Sequence, residues 1–395
     1  MTSDGISGSC AVCKGRNREV VQSQSLRLLN REAPCQLHFC VCRDCGHLQQ
    51  WPPVRPDMMA HHYESFATYE LFGDPAQLRE SLPSRHAKRF LSLTRDIDLT
   101  PGKAYEIGCA SGEMLNQFRK EGWQVGGCDL SSSAVSQAAA IFGIDADLGG
   151  EETAIPRQQS LDLVLVCHVL EHLYDPPATL ARINNALAPR GNLVLEVPCA
   201  IAPETLPPGW FTFEHLHYYQ PKILERLLRE AGFEVTEMRI AMQAEHYPVI
   251  SMAARKAETI ARWDHSDPQA SSNMAHAYTA RDAALWDDTR RRLADVSGAA
   301  FVYGAGIHTA QLFDRTDLTR RLKIIAIADR DSKKWGQTLA GTIVISPDEL
   351  LAHRQKAPVI VSSYVSERAI VRGLLDAGVA PGRIVPLYSL SPAAQ

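Results

Sequence analysis

The sequence predicts an α/β chain in which two Rossmann-like parallel sheets follow a small cysteine-rich unit. Three observations carry this expectation. Short apolar runs alternate with stretches of helical period from Lys103 onward, the alternation restarts at Gly298, and six of the ten cysteines fall between Cys10 and Cys45. Strands separated by helices imply parallel pairing with right-handed crossovers. At 395 residues the chain exceeds the size at which one hydrophobic core stops growing, so more than one domain is expected.

Composition narrows the class. With 45% hydrophobic and 22% charged residues the chain reads as globular. A net charge of -4 lacks the basic footprint that phosphate backbones require, so nucleic acid is not expected as a partner. The longest apolar runs, residues 161–170 and 324–328, fall short of the roughly 20 residues that span a bilayer, so no membrane partner is expected. The first ten residues, MTSDGISGSC, hold neither a basic nor an apolar leader region. A cytoplasmic protein is expected, and in that reducing compartment clustered cysteines point to metal rather than disulfides.

The elements follow in order. Residues 1–52 contain two knuckles, Cys10-Ala-Val-Cys13 and Cys42-Arg-Asp-Cys45, and end near Pro52-Pro53. Four thiolates about 2.3 Å from one ion close a tetrahedral zinc shell, and a closed shell is structural. Cys35, His38 and Cys40 compete as ligands. Residues 53–100 carry a loose helical pattern and read as a linker or lid. Residues 101–240 hold strands expected at 104–107, 124–128, 161–166 and 192–197. Residues 241–297, rich in Ala and Arg, are expected to be a helical connector. Residues 298–395 place strands at 300–303, 324–328, 359–362 and 384–387.

The chemistry begins at Glu106-Ile107-Gly108-Cys109-Ala110-Ser111-Gly112, an acid closing a strand followed by two glycines that let backbone approach a ligand closely. No Lys-Ser/Thr pair follows Gly112, so the loop is not a Walker loop, and the G-x-G-x-x-G dinucleotide pattern is absent. The next strand runs into Asp129-Leu130, where an acid suits the ribose hydroxyls of an adenosine. Capping of the helix that starts near Ser131 is the alternative use of Asp129. A third apolar strand leads to Cys167-His168-Val169-Leu170-Glu171-His172.

In this order these motifs resemble those of the class I S-adenosylmethionine-dependent methyltransferases, over residues 103–200. The resemblance implies a Rossmann-like methyltransferase core and S-adenosylmethionine held by Glu106, Gly108, Ala110, Ser111, Gly112, Asp129, Leu130 and His168. A wider resemblance takes in the front knuckles, Phe213-Glu214-His215-Leu216-His217-Tyr218-Tyr219, and Tyr303-Gly304-Ala305-Gly306-Ile307-His308-Thr309. Together they are similar to the zinc-containing deoxysugar C-methyltransferases that act on nucleotide-linked ketosugars. That resemblance implies structural zinc on Cys10, Cys13, Cys42 and Cys45, a nucleotide sugar as acceptor, and a second Rossmann-like C-terminal domain that helps to hold it.

The same resemblance nominates acceptor-side residues. Methylating carbon beside a ketone needs a base for the α-proton and a donor for the enolate oxygen. His215 with Glu214 is the preferred base, His172 is second, and Tyr69, with Tyr63 competing, is the candidate for the oxyanion. The family keeps Tyr and His where this chain has Thr212 and Phe213. Neighbours on a strand face opposite ways, so Glu214 and His215 reach one site together only from a loop or bulge. Phe211, Phe213, Tyr218 and Tyr219 read equally well as core.

In the C-terminal part, Gly304-Ala305-Gly306 follows a strand as a phosphate-cradling turn would, but Thr309 stands where a third glycine belongs. Asp329 sits where a ribose-binding acid would. Two other functions stay open: O- or N-methylation of another sugar or natural-product intermediate, and a nucleotide-sugar binding or oxidoreductase protein built on an inactive methyltransferase core. The intact Glu106, Gly108, Gly112 and Asp129 speak against the second. Acceptor, methylated atom and the choice between monomer and dimer are left open.

Overall fold

The computed structural model describes residues 8–65, 82–156, 159–242, 247–257, 267–353 and 356–388. In the front part, β1 (Arg18–Leu26), β2 (Cys35–Cys42) and β3 (Leu48–Gln50) pair antiparallel. Helices α1 (Pro56–Ser65) and α2 (Leu82–Asp96) lead to β4 (Lys103–Ile107). Then come α3 (Glu113–Lys120), β5 (Gln124–Asp129), α4 (Ser132–Phe142), β6 (Asp147–Leu148) and β7 (Leu161–Cys167). Helix α5 (Pro176–Ala186), β8 (Leu187–Pro198), β9 (His217–Tyr218), α6 (Pro221–Glu230), β10 (Phe233–Met242) and β11 (Pro248–Lys256) follow.

The central sheet has seven strands in the order β10-β11-β8-β7-β4-β5-β6. Strands β4 to β8 run parallel, and β10 and β11 close one edge antiparallel, which makes the sheet mixed. This is a Rossmann-like α/β sheet, and ligands of such sheets gather at the carboxyl ends of the strands, where the chain reverses its winding. Leu163, Val164, Leu165 and Val166 of β7 are all buried, as expected for a strand covered on both faces.

Strand β11 is the clearest departure from expectation. Residues 241–297 were expected to be a helical connector, yet Pro248–Lys256 pairs with β8 on one side and β10 on the other. Ala253 and Ala254, good helix formers in isolation, lie fully buried between neighbouring strands, so packing overrides propensity. The helical expectation does hold further on, in α7 (Pro268–Arg292), whose N-terminus is capped by the Asp267 carboxylate accepting from Ala270 N at 2.9 Å.

A third sheet, of six strands, is built from β12 (Ala299–Tyr303), β13 (Lys323–Ala328), β14 (Thr338–Leu339), β15 (Thr342–Ile345), β16 (Val359–Val361) and β17 (Ile384–Pro386). Its order is β14-β15-β13-β12-β16-β17, antiparallel only between β14 and β15. Among its helices are α8 (Ile307–Arg315), α9 (Leu318–Arg321), α10 (Pro347–Ala352) and α11 (Glu367–Asp376).

The three sheets are not independent. The front sheet takes its fourth strand, β9, from the chain between β8 and β10 of the central sheet, through Leu48↔Tyr218 and Gln49↔His217 pairing. One apolar core runs from Leu26 and Phe39 of the front sheet through Trp210, Phe211 and Phe213 to Tyr278, Trp286, Leu312 and Ile327. The segment between β8 and β9 therefore lies where all three parts meet. No helix among the described residues is long and apolar enough to cross a membrane.

Candidate functional site

The loop after β4 is built for close approach. Gly108 sits at φ 72°, and a Cβ there would come within 2.5 Å of Val169 Cγ2, so only glycine fits. Gly108 N and Cys109 N both donate to Cys128 O, at 2.8 and 3.0 Å, which ties the loop to the end of β5. Asp129 accepts from Ala110 N at 2.9 Å and from its own Ser131 N at 2.8 Å. Its carboxylate is thus an anchor of the loop. The helix cap expected of Asp129 belongs instead to Ser131, whose hydroxyl accepts from Ala134 N. Ala110 adopts a left-handed φ of 46°, a strained conformation typical of ligand-facing turns.

Glu106 lies beneath this loop, 3% exposed. Burial, reinforced by the charge of Asp129, holds its carboxyl well above the usual carboxylate range. Its Oε2 atom is buried without a hydrogen-bond partner, an observation that fits a ligand arriving at this strand end. Ser111 is buried beside it, Gly112 starts α3 from a left-handed φ of 78°, and Leu130 is 71% exposed, facing outward next to Asp129. These features fit a nucleoside such as that of S-adenosylmethionine, with Glu106, Asp129 and the loop backbone offering the polar contacts.

A buried ionic cluster extends from the carboxyl end of β7. His168, at a left-handed φ of 53°, lies between two carboxylates, with Nδ1 3.4 Å from Glu171 Oε1 and Nε2 3.3 Å from Glu196 Oε1. Burial alone would lower its pKa, but the two carboxylates outweigh it and raise it to about 9. Burial likewise works against Glu171 and Glu196, and their cationic partners overcome it and hold each at about 2. Arg89 of α2 grips Glu196 with two bonds of 3.0 and 2.6 Å, and Ser251 of β11 donates a third at 2.6 Å. His86 stacks on His168 at 4.9 Å and its Nδ1 lies 3.1 Å from Cys167 Sγ.

The acceptor-side candidates lie one step further along. His172 and His215 meet edge to face with ring centroids 4.9 Å apart, and His215 also packs edge to face on Trp210 at 6.1 Å. His172 Nδ1 donates to the Glu214 carbonyl at 3.0 Å, which leaves Nε2 toward Glu171 Oε1 at 3.8 Å. Burial, with the neighbouring His172, lowers His215 to about 4, so its ring is uncharged at neutral pH. The segment from Leu206 to Leu216 is loop, with the strand beginning only at His217, so adjacency on a strand does not separate Glu214 from His215. Even so their side chains part: Glu214 Oε2 accepts from Thr212 Oγ1 at 2.6 Å, while His215 turns to His172. Phe211, Phe213, Tyr218 and Tyr219 are all buried as core. Tyr69 lies outside the described residues.

Sequence reasoning had not assigned Glu171, Glu196, Arg89 or His86 to the site. Glu171 was visible in the Val-Leu-Glu-His run, and its adjacency to His172 was the available signal. Glu196, from β8, and Arg89, from α2, are brought in by sheet order and helix packing.

The two knuckles converge. Cys10, Cys13, Cys42 and Cys45 place their sulfurs within 4.8 Å of one another, with Cys10–Cys45 at 3.7 Å and Cys13–Cys42 at 3.5 Å. Bonds of about 2.3 Å to one tetrahedral ion would separate sulfurs by roughly 3.8 Å, so the donor set fits such an ion. The competitors stand apart: burial pushes the Cys40 thiol up to about 12, burial also raises Cys35, and His38 pairs through Nδ1 with Ser23 Oγ at 2.8 Å. In the C-terminal sheet, Asp329 accepts from Ala305 N at 2.7 Å, and Thr309 closes onto Gly304 O and Ser362 Oγ, so the turn is stitched by side chains from the following helix and neighbouring strand ends.

Residues 77–238 match a family described as "Methyltransferase domain", and residues 298–385 match one described as "C2185-like, N-terminal". The ubiquinone biosynthesis O-methyltransferase of Aromatoleum aromaticum is 26% identical over 165 residues, 37% of this chain and 70% of that protein. The malonyl-[acyl-carrier protein] O-methyltransferase of Alcanivorax borkumensis is 27% identical over 165 residues, 39% of this chain and 56% of that protein. Among solved structures, the Burkholderia thailandensis 1,6-didemethyltoxoflavin-N1-methyltransferase with bound S-adenosylhomocysteine aligns with 17% identity and a TM-score of 0.40, over 54% of this chain and 96% of that one. Residues 77–238 thus match a methyltransferase domain, and that match together with relatives named methyltransferases supports an enzyme that transfers methyl groups.

Proposed function

We propose that this methyltransferase deprotonates a small-molecule acceptor as the methyl group arrives, with His215 as the base. The observation that carries this reading is the uncharged His215 ring, packed edge to face on His172 within reach of the ionised Glu171. An imidazole held neutral can accept a proton, and the Glu171 charge favours the imidazolium that results. His172, whose Nδ1–H donates to the Glu214 carbonyl, is the second candidate. Glu214 acts through the loop rather than as a proton carrier, since its carboxylate is engaged by Thr212.

S-adenosylmethionine, when bound, supplies an electrophilic methyl group on a sulfonium. Gly108, Ala110, Ser111 and Gly112 shape its cradle, Glu106 offers a buried carboxyl, and Asp129 orients the loop and meets the ribose, with Leu130 alongside. His168 contributes a cationic edge to the same strand ends. Zinc on Cys10, Cys13, Cys42 and Cys45 is structural and braces the front sheet. The C-terminal unit serves as a second Rossmann-like domain that covers the acceptor.

The preferred acceptor is a nucleotide-linked ketosugar, methylated on carbon through an enolate. A second reading, O-methylation of a hydroxyl, has the names of the matched relatives in its favour, and the same base would serve it. Incubation with methyl-13C S-adenosylmethionine and a panel of nucleoside-diphosphate ketosugars and hydroxylated aromatics tests both, because carbon NMR separates C-methyl from O-methyl products. His215→Ala is expected to bind donor normally and lose about 10² to 10⁴ in turnover. Turnover within about threefold of wild type would remove His215 from the mechanism, since a lost general base costs far more than that.

A further inference from the structure

The loop that carries Glu214 and His215 has almost no secondary structure of its own. Several of its carbonyls accept from three glutamines outside it, two from the front sheet and one from helix α8. Gln24 of β1 donates to Phe211 O at 2.9 Å, and Gln311 of α8 donates to Gly209 O and Phe211 O at 3.0 and 2.9 Å. Gln50, the last residue of β3 and 1% exposed, reaches furthest along the loop. Its Nε2 lies 2.9 Å from Thr212 O, 2.8 Å from Phe213 O and 3.0 Å from His215 O, while its backbone N donates to Leu216 O at 2.9 Å.

We propose that Gln50 is the positioning residue for His215: one buried amide from the cysteine-bearing sheet gathers the carbonyls of residues 212, 213 and 215 and so fixes the turn that aims the imidazole at His172. This deepens the reading of His215 as the base and rests on it for its catalytic meaning. The physical case is the convergence of three acceptors on one nitrogen. Carbonyl oxygens repel one another, so a turn that points three of them at one spot persists only while a donor sits there. An amide also cannot be swapped for a carboxylate here, because Glu at 50 would place two more acceptors among the three. Gln50 follows Cys45 by five residues and pairs through β3 with β9, so the sheet that the cysteines brace is the sheet that holds the acceptor-side loop.

Gln50→Met keeps the length and apolar volume of the side chain and removes the donors. The expected result in the full-length, metal-loaded protein is a loop released without loss of the rest. Zinc content stays at one equivalent and S-adenosylmethionine affinity stays within about twofold, while hydrogen exchange of the peptide covering residues 209–219 rises at least tenfold. The His215 imidazole resonance, assigned by its loss in His215→Ala, shifts and titrates upward toward the ordinary histidine value, because the ring is no longer held in its buried place against His172, Glu171 and Trp210. Gln311→Met, which frees Gly209 O and leaves Phe211 O with Gln24, leaves that resonance in place. A Gln50→Met protein with unchanged exchange and unchanged His215 titration would overturn the assignment. So would equal shifts in Gln50→Met and Gln311→Met, which would mark a general loosening. Should Gln50→Met not fold, Gln50→Asn, whose amide stops one methylene short, must show the same selective His215 shift. None of these readouts uses turnover, so the positioning role and the catalytic role of His215 fail separately.

Discussion

Replacing His168 with Gln tests the buried ionic cluster at the end of β7. The imidazole lies 3.4 Å from Glu171 and 3.3 Å from Glu196, and both carboxylates are essentially excluded from solvent. Raising a histidine from its ordinary 6.5 to about 9 corresponds to about 3 kcal/mol of preference for the charged folded form. Below pH 6.5 the unfolded chain binds this proton too, so the contribution is present in full. As pH climbs from 6.5 to 9 the folded protein must hold a proton that the unfolded chain has released, and the contribution fades. Glu171, lowered from 4.5 to about 2, records the same contact from its other side and loses it only as pH falls below 4.5. The two are one interaction and are counted once. His168→Gln leaves two buried carboxylates without their shared cation, a loss of about 3 to 5 kcal/mol at pH 6. Thermal melts of donor-free protein from pH 6 to 9.5 should show the wild type losing about 3 kcal/mol of its lead, roughly 6 to 12 °C for a domain of this size. A gap between wild type and His168→Gln that stays constant over that range would refute the charged assignment.

Further outcomes are expected at the cysteine cluster and at Asp129. Metal analysis of freshly prepared protein should give one zinc per chain, and Cys45→Ser should lose it and loosen the front sheet, since a structural zinc site stabilises its fold by about 10 kcal/mol or more. Asp129→Ala should weaken S-adenosylmethionine binding by about 10- to 100-fold, measured by calorimetry, the scale of a lost hydrogen bond to a charged group. It should also lower the melting temperature, because Asp129 anchors Ala110 N and Ser131 N. Normal donor affinity in a folded Asp129→Ala protein would remove this residue from the donor site.

Much of the fold was legible because its elements are local. The runs at β4, β5, β7 and β8, and again at β12, β13, β16 and β17, are short apolar strands bounded by turn residues, and period and punctuation suffice to place them. The cysteine knuckles and the Gly108 loop were legible for a similar reason: each is a spacing that only one geometry uses. Strand β11 was not, because Pro-Val-Ile-Ser-Met-Ala-Ala-Arg-Lys carries mixed propensity and becomes a strand through two partner strands, one of which, β8, lies 51 to 63 residues away. Counting that separation needs the register, Val249↔Pro198 through Arg255↔Asn192, which no window of sequence contains.

The site divides along the same line. The residues proposed for the donor side lie in a loop and at strand ends, so motif spacing points to them. Acceptor-side residues depend on which parts of the chain are brought together. The imidazoles of His172 and His215 are 43 positions apart in sequence and touch because β9 pairs with β3 and carries the loop with it. Among the hydrogen bonds that hold that loop are those of Gln24, Gln50 and Gln311, side chains with no motif value, since glutamine is usually a surface residue and nothing in its neighbours announces burial. What makes each one necessary is a set of main-chain carbonyls left over by a segment that forms neither helix nor strand, and the leftover exists only once the rest is folded. A search for acceptor-side function in related chains therefore gains more from buried amides facing irregular backbone than from a longer list of histidines.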